Sequence, residues 1–224
     1  MMPRVRSRTR DGKGMITMSD DDLRKQFSMP MGDDGRIVME RMNEHHVPLW
    51  TEASARLPRS MDGAVLDIGC GGGGFIRMLS EKYPFAMFFG VDISDDAVSM
   101  TADVNRGMVD GGALDLRVAS VESLPFGDAS FDMVTAIETY FFWPDLEKGM
   151  REIARVVSPG GVVMLASELR LGEDDDSEVR AKCDEYGMTL ADDDSILAVM
   201  DAAGIDAEAI VTGSGVLYRG IRRF

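Results

Sequence analysis

Cysteine is scarce in this sequence, with only Cys70 and Cys183 in a chain of 224 residues. Two cysteines cannot build the disulfide framework of a small secreted domain, and such a low count is typical of proteins in a reducing compartment. Long apolar runs are missing as well, because no stretch approaches the roughly 20 residues of a transmembrane helix. The sequence therefore predicts a cytoplasmic protein that does not span a membrane.

Positive charge is also in short supply, with 24 Lys and Arg against 39 Asp and Glu, a formal net charge of −15. Nucleic acids and anionic lipid surfaces are bound largely by basic residues that neutralise phosphates. The composition therefore argues against nucleic-acid and membrane partners and favours a small-molecule substrate.

The first part of the chain differs from the rest. Residues 1–19 include an Arg-rich start without the apolar stretch of a secretory signal, so we expect a disordered basic arm. Residues 20–62 contain two predicted helices, at 36–46 and 49–57, and we expect them to form an N-terminal helical cap. Residues 63–224 are predicted to form the main domain.

Strands and helices alternate along the main domain. Five predicted strands cover residues 64–68, 86–91, 114–119, 131–137 and 162–166. Predicted helices separate several of them, at 75–82, 94–109 and 146–157, and residues 158–161 are predicted to form a turn. Strands that are almost wholly apolar and alternate with helices are typical of a parallel sheet covered on both faces. Such sheets bind ligands at the carboxyl ends of their strands.

The C-terminal part is predicted to add a hairpin. Residues 206–212 and 216–221 resemble two strands, and the short Gly-containing segment between them favours an antiparallel hairpin. Before it, residues 173–194 contain two runs of three aspartates, Asp174 to Asp176 and Asp192 to Asp194. A metal site there is conceivable, but a solvated loop leading into a helix that ends near residue 203 is the simpler interpretation. We therefore predict no metal.

The strongest local signal is the segment D-I-G-C-G-G-G-G at residues 67–74. Its glycines allow a tight turn against which a ligand can lie, and three of them satisfy the G-x-G-x-x-G dinucleotide pattern. Asp67 helps to choose the ligand, because a carboxylate beside a pyrophosphate would be repelled, whereas the ammonium and sulfonium of S-adenosylmethionine suit it. Asp92, at the end of the second predicted strand, can accept hydrogen bonds from ribose hydroxyls. Asp92 alone therefore fits NAD and S-adenosylmethionine equally.

Four motifs in order carry a resemblance to a known family. They are V-L-D-I-G-C-G-G-G at 65–73, G-V-D-I-S at 90–94, S-L-P-F with S-F-D within 123–132, and E-I-A-R-V-V-S-P-G-G at 152–161. Together they resemble class I S-adenosylmethionine-dependent methyltransferases of the ubiquinone/menaquinone-biosynthesis-like branch, methyltransferase type 11. The resemblance covers about 63–166 plus the terminal hairpin. It implies a Rossmann-like, doubly wound α/β sheet of seven strands, mostly parallel with an antiparallel C-terminal strand, plus the helical cap.

The resemblance also implies roles for individual positions. The glycine loop would hold the methionine end of S-adenosylmethionine, Asp92 the ribose and Ile93 the adenine. Residues 120–122 would border the adenine, although many relatives have Asp where this chain has Ser120. The implied cofactor-binding residues are Asp67, Gly69, Cys70, Gly71, Asp92, Ile93, Ser120, Val121, Glu122 and Glu138.

The expected reaction is in-line displacement of the methyl group from the sulfonium by an acceptor atom, assisted by alignment and, for some acceptors, by a general base. The candidate catalytic residues are His45, His46, Glu138 and Tyr140. The aromatic run at residues 140–143 is predicted either to line an apolar acceptor pocket or to pack its own loop. The sequence leaves the acceptor open.

Two other classes of protein stay open from the sequence. One is an NAD-dependent oxidoreductase, which the glycine loop and Asp92 would also suit. The other is a non-catalytic module that binds S-adenosylmethionine. A monomer and a homodimer are both compatible with the sequence.

Overall fold

A seven-stranded sheet forms the centre of the computed structural model, which describes residues 7–8, 15–16, 26–172 and 176–224. The strands are β1 Ala64–Ile68, β2 Met87–Asp92, β3 Leu114–Val118, β4 Phe131–Ile137, β5 Val157–Ser167, β6 Ile205–Val211 and β7 Val216–Arg222. Their order across the sheet is β3-β2-β1-β4-β5-β7-β6. Strands β1 to β5 are mutually parallel, while β7 pairs antiparallel with both β5 and β6. The predicted fold class is therefore confirmed, including the C-terminal hairpin.

The apolar character of the strands follows from burial on both faces of the sheet. Successive side chains of a strand point to opposite faces. Val65 accordingly packs in a cluster with Leu79, while its neighbour Leu66 packs in a second cluster with Met150 and Ile153. All of these side chains are fully buried. A strand that is buried on both faces is mostly apolar in the sequence, which is why β1 and β4 were predicted at their observed bounds although they contain Asp67 and, in β4, Asp132 and Thr135.

The described part of the chain contains eight α-helices besides a single helical turn near its start. They are α1 Gly32–His45, α2 Val47–Arg56, α3 Gly74–Lys82, α4 Asp95–Val104, α5 Arg106–Asp110, α6 Leu146–Val156, α7 Ser177–Tyr186 and α8 Asp193–Ala202, and residues 26–28 are also helical. Three helices begin at side-chain caps that satisfy otherwise unpaired N–H groups. Ser94 accepts from the N–H of Ala97, Asp145 from that of Lys148, and Asp192 from that of Ser195.

The cap helices α1 and α2 lie against the glycine loop that follows β1. The amide of Asn43 donates to the carbonyl of Gly72 at 2.9 Å. A Cβ added at Gly74 would lie 2.6 Å from the Trp50 ring, so glycine is needed where α2 crosses the loop. The segment before α1 is joined to α4, because Gly32 N–H donates to Asp96 at 2.8 Å and Ser94 donates to the carbonyl of Pro30. The cap thus closes over the carboxyl ends of the central strands.

The structure corrects three sequence predictions of secondary structure. Residues 158–161, predicted as a turn, belong to β5, where an irregular register opposite Phe131 and Met133 accommodates the Pro-Gly-Gly segment. The predicted helix at 94–109 is interrupted at Asn105, whose side chain donates to the carbonyl of Gly73 at 3.0 Å. The acidic stretch, predicted as a loop before α8, contains α7, which buries only Cys183 and therefore has little apolar periodicity.

Further expectations concern the N-terminal arm, membrane-spanning helices and the two cysteines. Within the expected disordered arm, Ser7–Arg8 and Met15–Ile16 form a short antiparallel pair, and its other residues lie outside the described part. Among the described helices, none combines the length and apolarity needed to cross a bilayer. Cys70 and Cys183 are both free and buried.

Candidate functional site

A cavity of about 330 Å³ opens at the carboxyl ends of β1, β2 and β4. Its walls come from the glycine loop, from the residues that follow each strand, and from the cap. The cap side includes Met39, Met42, Asn43, His46 and Trp50, together with residues 27–30. The cavity therefore lies where a parallel sheet of this topology binds its ligand.

The glycine loop is anchored to β2 by its backbone. The N–H groups of Gly69 and Cys70 both donate to the carbonyl of Val91, at 2.8 and 3.0 Å. Gly69 has a φ of +70°, and a Cβ there would lie 2.4 Å from Oγ1 of Thr139. Gly71 also has a positive φ, of +50°, but only the Gly69 carbonyl lies within 4 Å of its Cβ position, at 3.9 Å. Gly69 thus allows the loop to pack closely against Thr139, while the open space beside Gly71 leaves room for a ligand.

Asp92 connects the glycine loop to the start of α4. Its two carboxylate oxygens accept from the N–H groups of Gly71 at 3.0 Å and Ser94 at 2.9 Å. Burial raises the pKa of Asp92, although these backbone hydrogen bonds oppose the shift. A buried carboxylate that lines a cavity and still has lone pairs available is suited to accept hydrogen bonds from a diol.

Asp67 is the second buried carboxylate of the cavity and is only 4% exposed. The hydroxyl of Thr135 donates to its Oδ1 at 2.6 Å. Burial raises the pKa of Asp67 to about 7, against the lowering effect of Thr135 and with a further rise from the charge of Asp92. A cation bound beside Asp67 would favour its ionised form, because an opposite charge offsets the cost of burial.

The side of the cavity beyond Asp92 is mostly apolar. Ile93, which is 55% exposed, Ser120 and Val121 line it. Ser120 accepts from the N–H of Glu122 at 3.2 Å, which starts a short 3-10 turn. Glu122 does not line the cavity and pairs with Lys148 at 3.1 Å. Among the described residues, one oxygen of Glu122 is buried without a hydrogen-bond partner.

A smaller cavity of about 40 Å³ shares part of its wall with the first. Its wall is largely apolar and includes Phe27, Met42, Phe141, Phe142, Leu169, Tyr186 and Met188. Two titratable side chains, His46 and Glu138, line both cavities. These two groups therefore mark the junction between the cavities.

Glu138 follows β4 in a left-handed backbone conformation with a φ of +57°. This conformation is costly for a residue other than glycine and occurs mainly where surrounding contacts enforce it, often at functional sites. One carboxylate oxygen of Glu138 accepts from the N–H of Glu168. Burial raises the pKa of Glu138 to about 7, although the nearby His46 opposes the shift.

His46 is 4% exposed and lies at the start of α2. Its Nδ1 lies 2.9 Å from Oε1 of Glu168, a residue that directly follows β5. Burial alone would lower the pKa of His46, but the hydrogen bond to Glu168 and the charges of Glu138 and Glu168 raise it above its usual value. The pKa of Glu168 is lowered by the two histidines, despite its partial burial.

The structure separates the predicted catalytic candidates. His46 and Glu138 face the cavities, whereas His45 points to solvent with its side chain 47% exposed and its Nε2 3.0 Å from the other oxygen of Glu168. Tyr140 is buried outside both cavities and packs on Phe141 and Tyr218. The aromatic run is thus divided, because Phe141, Phe142 and Trp143 contribute to cavity walls while Tyr140 packs the core.

Most of the predicted cofactor residues are brought together. Those that line the larger cavity are Asp67, Gly69, Cys70, Gly71, Asp92, Ile93, Ser120, Val121 and Glu138. Glu122 is the exception. Glu168 is absent from the predicted set, because a glutamate after an apolar strand gives no signal of the histidine it will meet across the sheet.

The acidic runs show no shared ligand geometry in the described part of the chain. Asp192 caps α8, and Asp193 pairs with Arg170 at 2.7 Å and accepts from the hydroxyl of Tyr218. Asp174 and Asp175 lie outside the described residues. A group with metal-ligand spacing does occur elsewhere, at His45, His46 and Glu168, whose ligand atoms lie within 4.8 Å of one another.

Comparison with known proteins agrees with this geometry. A family model described as "Methyltransferase domain" matches residues 66–165. Methyltransferase GfsG of Streptomyces halstedii is 32% identical over 183 residues, covering 79% of this chain and 61% of its own. O-methyltransferase cnsE of Penicillium expansum is 30% identical over 157 residues, covering 70% of this chain and 56% of its own. The chain thus spans less than two thirds of the length of these relatives.

Solved structures share the fold at lower sequence identity. One chain of the complex between the Haloferax volcanii Trm112 methyltransferase activator and a methyltransferase superimposes with a TM-score of 0.73 at 22% identity. The match covers 85% of this chain and 95% of that one. These findings support the methyl-transfer interpretation over the oxidoreductase that the glycine loop alone left open.

Proposed function

We propose that this chain is an S-adenosylmethionine-dependent methyltransferase that transfers the methyl group to a small-molecule acceptor, a proposal supported by the methyltransferase-domain match over residues 66–165 and by the methyltransferase relatives. The observation that carries the proposal is the pairing of two buried carboxylates, Asp67 and Asp92, with the glycine loop in one cavity. Both lie at the carboxyl ends of neighbouring strands, β1 and β2.

The residues of the larger cavity fit the cofactor chemically. Asp92 would accept the ribose hydroxyls, and Asp67 would face the cationic amino group of the methionine end. Ile93 and Val121 offer apolar surface for the adenine ring. The pKa of Asp67 supports this arrangement, because an acid whose ionisation is suppressed by burial gains most from a bound cation.

The cofactor supplies a methyl group on a positively charged sulfur, which makes the sulfur a good leaving group. The protein's part is to hold the two reactants in line, and alignment of this kind can supply up to about 7–11 kcal/mol of the barrier. The junction at His46 and Glu138 is the place where an acceptor in the smaller cavity would meet the methionine end. The cap residues above it, among them Met42 and Phe27, would limit the access of water.

The size and charge of the molecule support a small acceptor from the cytoplasm. The smaller cavity is narrow, and the formal net charge of −15 disfavours nucleic acid. The two buried free cysteines suit a reducing compartment. On these grounds we propose that the protein does not act on nucleic acid or bind a membrane.

Partition of a labelled methyl group tests the proposed acceptor class. The protein is incubated with methyl-labelled S-adenosylmethionine and a cell extract, which is then separated into low-mass, protein and nucleic-acid fractions. We expect enzyme-dependent label in the low-mass fraction, and less than about a hundredth of it with Asp92→Ala. Label in protein or nucleic acid alone would contradict the proposed acceptor class.

The affinity for S-adenosylmethionine is expected to fall as the pH falls below about 7. The ionised form of Asp67 binds the cofactor's ammonium, and the pKa of about 7 in the free protein means that this form is progressively lost in acid. Well below that pKa, affinity should fall about tenfold for each pH unit. Calorimetric titrations between pH 5 and 8 measure the slope.

Asp67→Asn provides the matched control for this pH dependence. It keeps the shape of the side chain and can still accept from Thr135, but it does not titrate. The variant should bind weakly at every pH, with a shallower slope than wild type between pH 5 and 7, where Glu138 of the same cavity also titrates. A wild-type affinity that is flat across this range would remove Asp67 from the ammonium site.

A further inference from the structure

The arrangement of His46 and Glu168 resembles a base with its orienting acid. His46 is buried, lines both cavities and directs Nδ1 to the Glu168 carboxylate at 2.9 Å. The lowered pKa of Glu168 keeps this carboxylate ionised near neutral pH, so it can only accept a hydrogen bond. In the neutral imidazole of His46, Nδ1 must therefore carry the proton, which leaves the lone pair on Nε2.

We propose that His46 is the general base for a hydroxyl acceptor, that Glu168 positions it, and that the acceptor is an apolar molecule whose hydroxyl reaches the junction of the two cavities. This inference rests on the proposed methyl transfer and deepens it. The acceptor O–H bond breaks and its proton passes to Nε2 of His46. The oxygen forms the new O–CH₃ bond, and the electron pair of the CH₃–S bond leaves with the sulfur as a neutral thioether.

The need for a base points to oxygen as the nucleophile. A neutral alcohol or phenol is a poor nucleophile until its proton is removed, whereas a neutral amine attacks through a lone pair that is already free. The imidazolium formed on His46 would be stabilised by the Glu168 carboxylate, to which its Nδ1–H remains bonded. A base with such a partner is most useful when the acceptor is a hydroxyl group that must lose its proton to attack the methyl carbon.

The wall of the smaller cavity indicates the character of the rest of the acceptor. Phe141, Phe142, Leu169 and Met188 line it, and these side chains offer contact area rather than hydrogen bonds, while Tyr186 adds an aromatic ring with a hydroxyl. Lys182 is the cationic side chain of this wall. An apolar group attached to the reacting hydroxyl suits such a surface, and a volume of about 40 Å³ admits only a small part of the acceptor.

The charged surroundings of His46 come from four elements. Glu168 follows β5, Glu138 follows β4, His45 ends α1, and Lys182 lies on α7 across the smaller cavity. The two carboxylates raise the pKa of His46. Because the base must be neutral to act, the rate should rise with pH through a value above 6.5.

Metal binding is the competing use of the same residues. His45, His46 and Glu168 have ligand atoms close enough to share a divalent transition metal. The observations favour the base, because each Glu168 oxygen already pairs with one imidazole, at 2.9 and 3.0 Å. His45 also faces solvent, so a metal held there would lie at the rim of the site.

Three conservative variants separate these roles. His46→Asn retains an N–H where Nδ1 stood but has no basic nitrogen. Glu168→Gln retains the size of the side chain without its charge. His45→Gln keeps an N–H at the position of Nε2 and is the matched control, because His45 contacts the same carboxylate but lines neither cavity.

The assay uses the low-mass extract fraction as the acceptor pool and ¹³C-methyl-labelled S-adenosylmethionine. We expect the label as a methyl ether, recognised by its carbon chemical shift, whereas a methyl ester would indicate a carboxylate acceptor that needs no base and would overturn the role of His46. His46→Asn should lower kcat about a hundredfold or more and remove the pH dependence. Glu168→Gln should lower kcat about tenfold to a hundredfold and move the pH profile to a lower value, with KM little changed. His45→Gln should stay within about threefold of wild type.

The outcomes distinguish this inference from the proposed function. Glu168→Gln and His45→Gln should bind S-adenosylmethionine with wild-type affinity in calorimetry, because neither residue lines the larger cavity. Label found on nitrogen, sulfur or carbon would overturn the hydroxyl acceptor while methyl transfer stands, and no labelled low-mass product at all would overturn both. Loss of activity on treatment with a chelator, restored by Zn²⁺ or Mn²⁺ and abolished by His45→Gln, would identify a metal site instead.

Discussion

Asp92→Ala is expected to weaken the binding of S-adenosylmethionine by about a hundredfold or more. The change removes a buried acceptor for the ribose hydroxyls, and hydrogen bonds to charged groups contribute roughly 1.5–3 kcal/mol each. It also removes the hydrogen bonds that the N–H groups of Gly71 and Ser94 donate to Asp92 at 3.0 and 2.9 Å. The glycine loop therefore loses part of its fixed shape. Isothermal titration calorimetry measures the loss directly.

Asp95→Ala is the matched control for this prediction. Asp95 is an exposed acid in the first turn of α4, three residues along the chain from Asp92, and does not line the cavity. Its removal should change cofactor affinity by less than about twofold, since an exposed charge near a helix terminus contributes only about 0.3–1 kcal/mol to helix stability. Equal losses in the two variants would indicate a general effect on α4 rather than a ribose contact.

Gly69→Ala is expected to destabilise the protein by about 2–4 kcal/mol and to abolish detectable cofactor binding. The φ of +70° is unfavourable for alanine, and the new Cβ would lie 2.4 Å from Thr139 Oγ1 and 2.8 Å from its Cβ. Backbone strain and overpacking each cost about 1–3 kcal/mol. Denaturant unfolding, followed by calorimetry on the folded variant, measures both effects.

Gly107→Ala supplies the comparison, because Gly107 lies within α5 and has open space around its Cβ position. Alanine there should leave stability unchanged or raise it by up to about 1 kcal/mol, since alanine favours helix over glycine. A Gly69→Ala variant as stable as wild type would show that the loop can move away from Thr139. It would contradict the claim that this contact requires glycine at position 69.

The sequence predicted the fold well where one physical requirement dominates. Strands β1 and β4 are buried on both faces over most of their length, so most positions are apolar and the run is recognisable despite Asp67 in β1 and Asp132 and Thr135 in β4. The glycine loop and Asp92 were likewise predictable, because positive φ values and a buried acid at a strand end leave few choices of residue. Helix α7 was missed because it buries one residue only and its composition resembles a loop.

The catalytic side of the site was predictable only in part. His45 and His46 are neighbours in the chain, and the sequence could not tell which would be buried. The boundary between α1 and α2 determines which histidine is buried, because the chain direction changes there. The His45 ring faces solvent and the His46 ring faces the cavities. Glu168 lies 122 residues from His46. The pairing of β4 with β5 places Glu168 beside Glu138, and the packing of α2 on the sheet brings His46 to it.

Tyr140 and Glu122 were predicted in the site for reasons that tertiary packing overrides. Tyr140 follows β4 closely enough to reach a ligand, but its ring turns into the core against Tyr218. Glu122 follows β3 as expected, yet the 3-10 turn directs it to Lys148. In both cases the strand end was predicted correctly, while the direction of the side chain depended on a local turn that the sequence did not specify.

The central claim is that this cavity binds S-adenosylmethionine through Asp67 and Asp92, and parallel calorimetric titrations with S-adenosylmethionine, S-adenosylhomocysteine and NAD test it most directly. We predict saturable one-to-one binding of the first two, lost in Asp92→Ala, and no binding of NAD. Binding of NAD without the other two would contradict the account and would leave the carboxylate of Asp67 beside a pyrophosphate.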